Sequence, residues 1–280
     1  MARVHEPEWI QGNAIFSHGL RIGFRSNQSD LLNRLQGVFA PGRPIQATQL
    51  DFLYSLKSDE AGRVYTAYIG SQRFAQSTDL DVSVAEVESH LQKTIAQYAR
   101  EHLFVHAGVA GWRGRALLVP GHSYSGKSTL IQALIRAGAV YFSDEFAVLD
   151  SQGFVHPFAR PLSLRSPGGK VSLKPSDLGA QTASEPFLIG AIAVTRYLPD
   201  ARWRPVLLSP GKARLELLRN TVAVRSDPAR AMRYFRSLPS DCVAFRTLRG
   251  GADATGPLLL EMLDRLMKLE SKKRSIVNDT

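Results

Sequence analysis

The clearest pattern of apolar and polar positions lies in the first half of the chain. An apolar residue recurs every three or four positions over residues 84–100, which predicts an amphipathic helix. Its apolar face consists of Val84, Val87, Leu91, Ile95 and Tyr98. Ser83 and Glu86 have the spacing of a capping box, in which each side chain satisfies a free backbone N–H at a helix start.

After this helix, short apolar segments alternate with helical ones. Compact apolar runs predict strands over residues 103–109 and 116–119, and a glycine-rich segment then leads into a predicted helix over 128–137. Further strands are predicted at 140–142, 146–149, 189–194 and 242–248, and further helices at 212–219, 227–237 and 256–270. Strand, loop, helix and strand in this order indicate α/β organisation.

The first 80 residues have a different pattern. Short apolar stretches with alternating faces are separated by Gly, Pro, Asn and Asp, which predicts short strands, and residues 30–39 form one amphipathic helical segment. We therefore divide the chain into a smaller, strand-rich α+β region over residues 1–95, with no assigned role, and an α/β domain over residues 96–280.

Composition and charge exclude several classes of protein. The chain has 280 residues, 44% of them hydrophobic, which is enough for a sizeable core. Its single cysteine, Cys242, excludes a disulfide framework and favours a reducing cytoplasm. We expect no signal peptide and no membrane span, because no apolar run reaches about 18 residues. The net charge of +10 favours anionic ligands, but no reading motif accompanies it, so nucleic acid is not an expected partner.

The segment from Gly121 to Ser128 matches the Walker A pattern in full. Its glycines let backbone N–H groups approach phosphate oxygens, Lys127 places a charge on the terminal phosphates, and the Ser128 hydroxyl can bind Mg²⁺. A predicted strand precedes the loop and a predicted helix follows it, whereas the alternative is a glycine-rich turn at a helix start. The candidate nucleotide-binding residues are Gly121, His122, Ser123, Tyr124, Ser125, Gly126, Lys127, Ser128 and Thr129. The expected ligands are ATP, or another nucleoside triphosphate, and Mg²⁺.

Asp144 and Glu145 end the short strand that follows the predicted loop helix. An acidic residue beside a P-loop is where a magnesium ligand belongs, and a second carboxylate there can accept a proton from a hydroxyl or orient a water. The alternative is a pair of solvated turn residues. Arg160 and Arg165 follow the pair and are candidate phosphate or substrate contacts, with ordinary surface arginines as the alternative.

The segments His106-Ala-Gly-Val, Gly121 to Ser128 and Ser143-Asp-Glu, at their spacing, resemble the catalytic domain of HPr kinase/phosphorylase. The resemblance covers roughly residues 100–195. It is nearer to the loose group of HPr-kinase-like proteins of bacteria, some of them tied to peptide modification. It implies a P-loop kinase domain of the HPr kinase / PEP carboxykinase-like type and an oligomer.

The resemblance also implies roles for individual residues. His106 matches the active-site histidine of the family, Lys127 the P-loop lysine, Asp144 a metal-binding aspartate, and Glu145 the residue that accepts the substrate proton. Glu185, in Glu185-Pro-Phe-Leu-Ile-Gly, echoes a magnesium-binding glutamate. The implied catalytic residues are therefore His106, Lys127, Asp144 and Glu145, and the implied metal ligands are Ser128, Asp144 and Glu185.

These observations predict a cytoplasmic, ATP-dependent kinase that phosphorylates a hydroxyl group of a protein, a peptide or a small molecule, a serine being one candidate. Two alternatives stay open. The chain can be a P-loop NTP hydrolase or switch, in which Glu145 orients water, or a nucleotide-binding regulatory protein without an acceptor.

Overall fold

The chain is mixed α/β with two main sheets. The structure, a computed structural model, describes residues 9–38, 42–122, 125–166 and 169–278. It divides into two compact units, one extending to His102 and the other starting at Leu103. In the described residues, no helix is long and apolar enough to cross a membrane.

The N-terminal unit is a six-stranded sheet with two helices. Its strands are β1 (Ile10–Ser17), β2 (Leu20–Ser26), β3 (Arg43–Ile45), β4 (Phe52–Ser58), β5 (Tyr65–Ile69) and β6 (Gln72–Ser77), and its helices are α1 (Ser29–Gln36) and α2 (Leu80–Tyr98). The strand order is β3-β1-β2-β4-β5-β6, with β2 and β4 parallel and the other neighbours antiparallel. Helix α1 packs against β2 and β4, and α2 packs against β5 and β6.

Helix α2 begins one turn earlier than the sequence predicts. Asp79 caps it, because its side chain accepts hydrogen bonds from the backbone N–H groups of Asp81 and Val82. Ser83 lies inside the helix, where its hydroxyl donates to the carbonyl of Asp79, so the predicted capping box with Glu86 is wrong. An aspartate is as effective a cap as a serine. Here Asp79, four residues before Ser83, satisfies the first free N–H groups of the helix.

The C-terminal unit holds the larger sheet. Its strands are β7 (Leu103–Trp112), β8 (Arg115–Pro120), β9 (Val140–Ser143), β10 (Phe146–Leu149), β11 (Phe154–His156), β12 (Leu162–Ser166), β13 (Gly169–Leu173), β14 (Phe187–Tyr197), β15 (Val206–Leu207) and β16 (Val243–Arg249). Its helices are α3 (Lys127–Arg136), α4 (Pro210–Arg219), α5 (Pro228–Arg236) and α6 (Ala252–Asn278). Eight strands form one sheet in the order β11-β10-β7-β8-β14-β16-β15, with β9 also paired to β7, and β12 and β13 form a separate hairpin.

The direction of the strands sets where loops meet. Strand β14 runs parallel to both β8 and β16, so the carboxyl ends of these three strands lie at one edge of the sheet. Strand β7 runs antiparallel to β8, β9 and β10. Since β11 pairs with both β10 and β14, the sheet curls back on itself. Helices cover both faces: α3 and α6 pack on one face, and α4 and α5 on the other.

Helix α3 lies unusually close to β7, and a glycine allows it. A Cβ atom at Gly108 would lie 2.5 Å from Cγ1 and 3.0 Å from Cδ1 of Ile131 on α3. Ile131 is fully buried and Gly108 is also buried, so little space exists for the Ile131 side chain to move. Because α3 follows the glycine loop directly, this contact fixes the distance between the loop and β7.

We predict that Gly108→Ala lowers the free energy of unfolding by about 1–3 kcal/mol, because the added methyl overpacks a filled interface. Urea denaturation measures the change. The matched control is Gly211→Ala in the first turn of α4, where an added Cβ meets nothing within 4 Å. That variant should be neutral or slightly more stable, and equal destabilisation of the two would contradict the close-packing argument.

Candidate functional site

The glycine loop joins the carboxyl end of β8 to the start of α3. Ala116 to Val119 of β8 are almost fully buried, as their continuous apolar run predicts for a central strand. The backbone N–H of Gly121 donates to the carbonyl of His106 at 3.2 Å, which ties the first glycine to β7. Gly126 has a φ of 81° and is the N-cap of α3, and its carbonyl accepts the N–H of Leu130 at 3.1 Å.

The described part of the loop fits a bound phosphate. Within the described residues, the Ser125 hydroxyl oxygen is buried and has no hydrogen-bond partner. A Cβ at Gly121 would lie 2.7 Å from this oxygen, so the first glycine leaves the room that the hydroxyl occupies. Free N–H groups at the start of α3 add a partial positive charge, which favours an anion there. Ser123 and Tyr124, also predicted as nucleotide-binding residues, lie outside the described residues.

Lys127 lies between the loop and the acidic pair. Its ammonium donates to the carbonyl of His122 at 2.8 Å. Burial lowers the pKa of Lys127 from its ordinary value of 10.5, while the charges of Asp144 and Glu145 act in the opposite direction. Both carboxylates are therefore close enough to interact electrostatically with the ammonium.

Asp144 and Glu145 connect β9 to β10, and both of these strands pair with β7. The Ser143 hydroxyl accepts the backbone N–H groups of Glu145 and Phe146, at 3.2 and 3.1 Å, and so fixes the bend between the strands. Asp144 is 7% exposed, whereas the Glu145 side chain is 45% exposed. The two acids thus have different environments: one is enclosed, and the other faces solvent.

The Tyr141 hydroxyl lies beside the enclosed carboxylate and donates to a backbone carbonyl. It lies 3.4 Å from Oδ1 of Asp144 and 2.8 Å from the carbonyl oxygen of Arg160. Burial, followed by the charge of Asp144, raises the pKa of Tyr141, so the phenol stays protonated and can donate. Sequence reasoning missed this residue, and its position on a short apolar strand gave no signal.

His106 lies on β7 directly opposite Phe146, one residue after Glu145. Its ring centroid is 4.8 Å from that of Phe146, and its backbone N–H donates to the carbonyl of Asn220 at 2.7 Å. Burial lowers the pKa of His106 below its ordinary value of 6.5, and the charges of Lys127 and His122 lower it further. The imidazole is therefore neutral at physiological pH.

Two arginines border the cluster. Arg160, which the sequence suggested, forms an ion pair with Glu145 over 2.9 Å. Arg249, which sequence reasoning missed, ends β16 and is only 2% exposed. It donates to the carbonyl of Gly126 at 2.9 Å, and its guanidinium fills the space beside the Gly126 Cα. Only the parallel alignment of β8, β14 and β16 brings Arg249 to the loop.

The other candidate residues lie as follows. Ser128 is half-buried in the first turn of α3, and His122 and Thr129 are exposed. Glu185 is exposed two residues before β14, which starts beside Arg115 at the end of β8 away from the loop, so its role as a metal ligand stays a prediction. The side chain of Arg165, on β12, lies outside the described residues.

The residues that could hold a metal are few. Within the described parts of the chain, no group of three or more His, Cys, Asp and Glu side chains is placed to bind an ion. A hydroxyl and one carboxylate, as Ser128 and Asp144 offer, suit Mg²⁺, which keeps several waters and takes other ligands from nucleotide phosphates.

Comparison with known proteins gives likenesses to solved structures. No protein-family model and no curated protein matches the chain. The chain is similar to the Hpr(Ser) kinase/phosphatase from Coxiella burnetii, with a TM-score of 0.35 and 16% identity over 63% of this chain and 96% of that chain. This is a weak resemblance at the level of the fold.

We predict that Lys127→Met raises the pKa of His106 toward 6.5 without restoring it fully, because burial is the larger cause and remains. A histidine ¹³C-edited NMR titration measures the change. His90 is the internal control, since burial and Lys93 lower its pKa. An unchanged His106 titration in Lys127→Met, or an equal shift at His90, would contradict the proximity of Lys127 and His106.

Proposed function

We propose that the chain is a magnesium-dependent kinase, with a P-loop kinase domain of the HPr-kinase-like type, that transfers the terminal phosphoryl group of ATP to a hydroxyl. The observation that carries the proposal is the convergence of Lys127, Asp144, Glu145 and His106 at one end of a Walker A loop. A loop that only bound nucleotide would need the lysine and the glycines, but not two carboxylates in different environments.

The loop and the buried acid would bind the nucleotide. Backbone N–H groups of the loop and of the first turn of α3 would hold the phosphates, and the ammonium of Lys127 would neutralise charge on the outer two. Ser128 and Asp144 would hold Mg²⁺, which when bound neutralises phosphate charge. Asp144 is buried beside the Tyr141 hydroxyl, which limits how far this ligand would have to reorganise.

Glu145 is suited to the role of general base. Its carboxylate is partly exposed, so an acceptor can reach it, and Arg160 fixes its direction. The hydroxyl of the acceptor would lose its proton to Glu145 as its oxygen bonds to the terminal phosphorus, and the bond to the bridging oxygen would break to release ADP. His106 stays neutral beside Lys127, so it adds no charge and can accept or donate a hydrogen bond.

The acceptor is a hydroxyl of a protein, a peptide or a small molecule. A hydrolase is the second candidate, because the solvent exposure of Glu145 also allows it to orient water. We assign the chemistry to residues 96–280. We place the protein in the cytoplasm, because a single cysteine fits a compartment in which thiols stay reduced. Residues 1–95 receive no role, and oligomerisation remains an expectation from the HPr kinase resemblance.

We predict that Lys127→Ala abolishes turnover and weakens ATP binding, because the loop loses its only point charge on the phosphates. Incubation with γ-labelled ATP and Mg²⁺ measures turnover, and calorimetry measures binding. Undiminished turnover in this variant would exclude the loop as the phosphate site.

We predict that Glu145→Gln lowers phosphoryl transfer about a hundredfold or more while nucleotide affinity stays within about twofold, because an amide cannot accept the proton. Label on an acceptor reports the kinase, and free phosphate alone reports the hydrolase. Glu261→Gln is the matched control, since Glu261 is ion-paired with Arg265 on α6. Wild-type transfer in Glu145→Gln would exclude this carboxylate as the base.

A further inference from the structure

Strands β14 and β16 continue past the end of β8 and border the glycine loop. Ile192 of β14 pairs with Leu118 of β8, whereas Tyr197 pairs with Arg249 at the far end of β16. At about 3.3 Å per residue, Tyr197 therefore lies roughly 10 Å beyond the level at which β8 ends. The two strands form a wall on the carboxyl side of the sheet, where the loop also lies.

Tyr197 belongs to the same face of this wall as α3. Side chains alternate along a strand, and Ala191 and Ala193 of β14 pack with α3 and α6. Tyr197, four residues after Ala193, has the same orientation. Phe245 of β16 also packs on this face, which places Arg249 there as well.

One guanidinium connects the tyrosine to the loop. Arg249 donates to the carbonyl of Gly126 at 2.9 Å, and its Cζ lies 5.6 Å from the centroid of the Tyr197 ring. Tyr197 is therefore within one arginine side chain of the phosphate loop. In the part of the chain that the structure describes, no carboxylate pairs with Arg249 and its buried Nε has no acceptor, so it has no role in a protein ion pair.

The ring of Tyr197 is exposed on a fixed backbone. Tyr197 is 53% exposed although Arg249 lies against it, so much of its side chain is accessible to solvent. The next residue, Leu198, donates its N–H to the carbonyl of Arg249 at 2.9 Å, and Ala201 donates to the carbonyl of Leu198 at 3.2 Å. Asp200 completes this turn with a φ of 58°. The turn fixes the backbone beside Tyr197 before any ligand arrives.

We propose that Tyr197 is the stacking platform for the nucleobase of the bound nucleoside triphosphate, with Arg249 supporting it from below. This inference rests on the proposed nucleotide site and adds to it the place where the base binds. An exposed aromatic ring stacks on the π-face of any base, and a cation on its opposite face holds it by cation–π attraction. A nucleotide has its base one ribose away from its phosphates, and Tyr197 is separated from the loop by one arginine.

This placement predicts a preference for a nucleotide over its phosphates alone. Stacking of one base on an aromatic side chain makes the wild-type dissociation constant for Mg-ATP about tenfold lower than that for Mg-tripolyphosphate. Other purine and pyrimidine triphosphates should share most of this advantage, because stacking on an aromatic ring does not distinguish one base from another.

The experiment is calorimetric titration of the full chain with ATP and with tripolyphosphate, both with Mg²⁺. In Tyr197→Ala, the preference for ATP should fall to near one while the affinity for tripolyphosphate stays unchanged. Tyr197→Trp should restore the preference. Tyr98→Ala is the matched control, since Tyr98 is 56% exposed on α2 of the N-terminal unit, and it should behave as wild type.

The outcomes separate this inference from the proposed function. Equal affinity of the wild-type chain for ATP and tripolyphosphate, or an unchanged preference in Tyr197→Ala, overturns the base platform and leaves the phosphate site intact. Equal loss of both ligands in Tyr197→Ala also overturns it, because the residue would then support the loop alone. Binding of neither ligand to the wild-type chain overturns the proposed function and this inference together.

Discussion

The candidate site depends on the pairing of one buried strand, β7, with strands on both of its sides. On one side β8 leads into the glycine loop, and on the other β9 and β10 carry the acidic pair between them. His106 lies on β7 between the glycine loop and the acidic pair. Its carbonyl accepts a hydrogen bond from the N–H of Gly121, and its ring packs against Phe146. A one-residue slip in either pairing would turn these side chains to the other face of the sheet.

The candidate site also depends on the exclusion of water from around its ionisable side chains. Lys127, His106 and Asp144 are all largely enclosed, and burial is the largest influence on the pKa values of Lys127 and His106. Charges interact more strongly where water is excluded, so Asp144 and Glu145 can oppose the effect of burial on the pKa of Lys127. The exposure of Glu145 is the exception, and it leaves this acid accessible to solvent.

The two arginines at the site illustrate different uses of one side chain. Arg160 has a carboxylate partner in Glu145 and fixes its direction. Arg249 bonds instead to the carbonyl of Gly126 and lies against Tyr197, so it connects the loop to the end of β14. A guanidinium suits both places because it is planar, keeps its charge and can donate in several directions at once.

The sequence by itself determined the local elements on both sides of the glycine loop. The apolar run of β8 and the helix after the loop are local patterns, and the structure has both within one residue of the predicted bounds. The sequence could not determine how α2 is capped, because Asp79 and Ser83 can both act as N-caps. The positions of Arg249 and Tyr197 were decided by tertiary structure alone, since β14 and β16, which are distant from the loop in the sequence, bring them beside it. Such contacts depend on sheet register, which no single segment encodes.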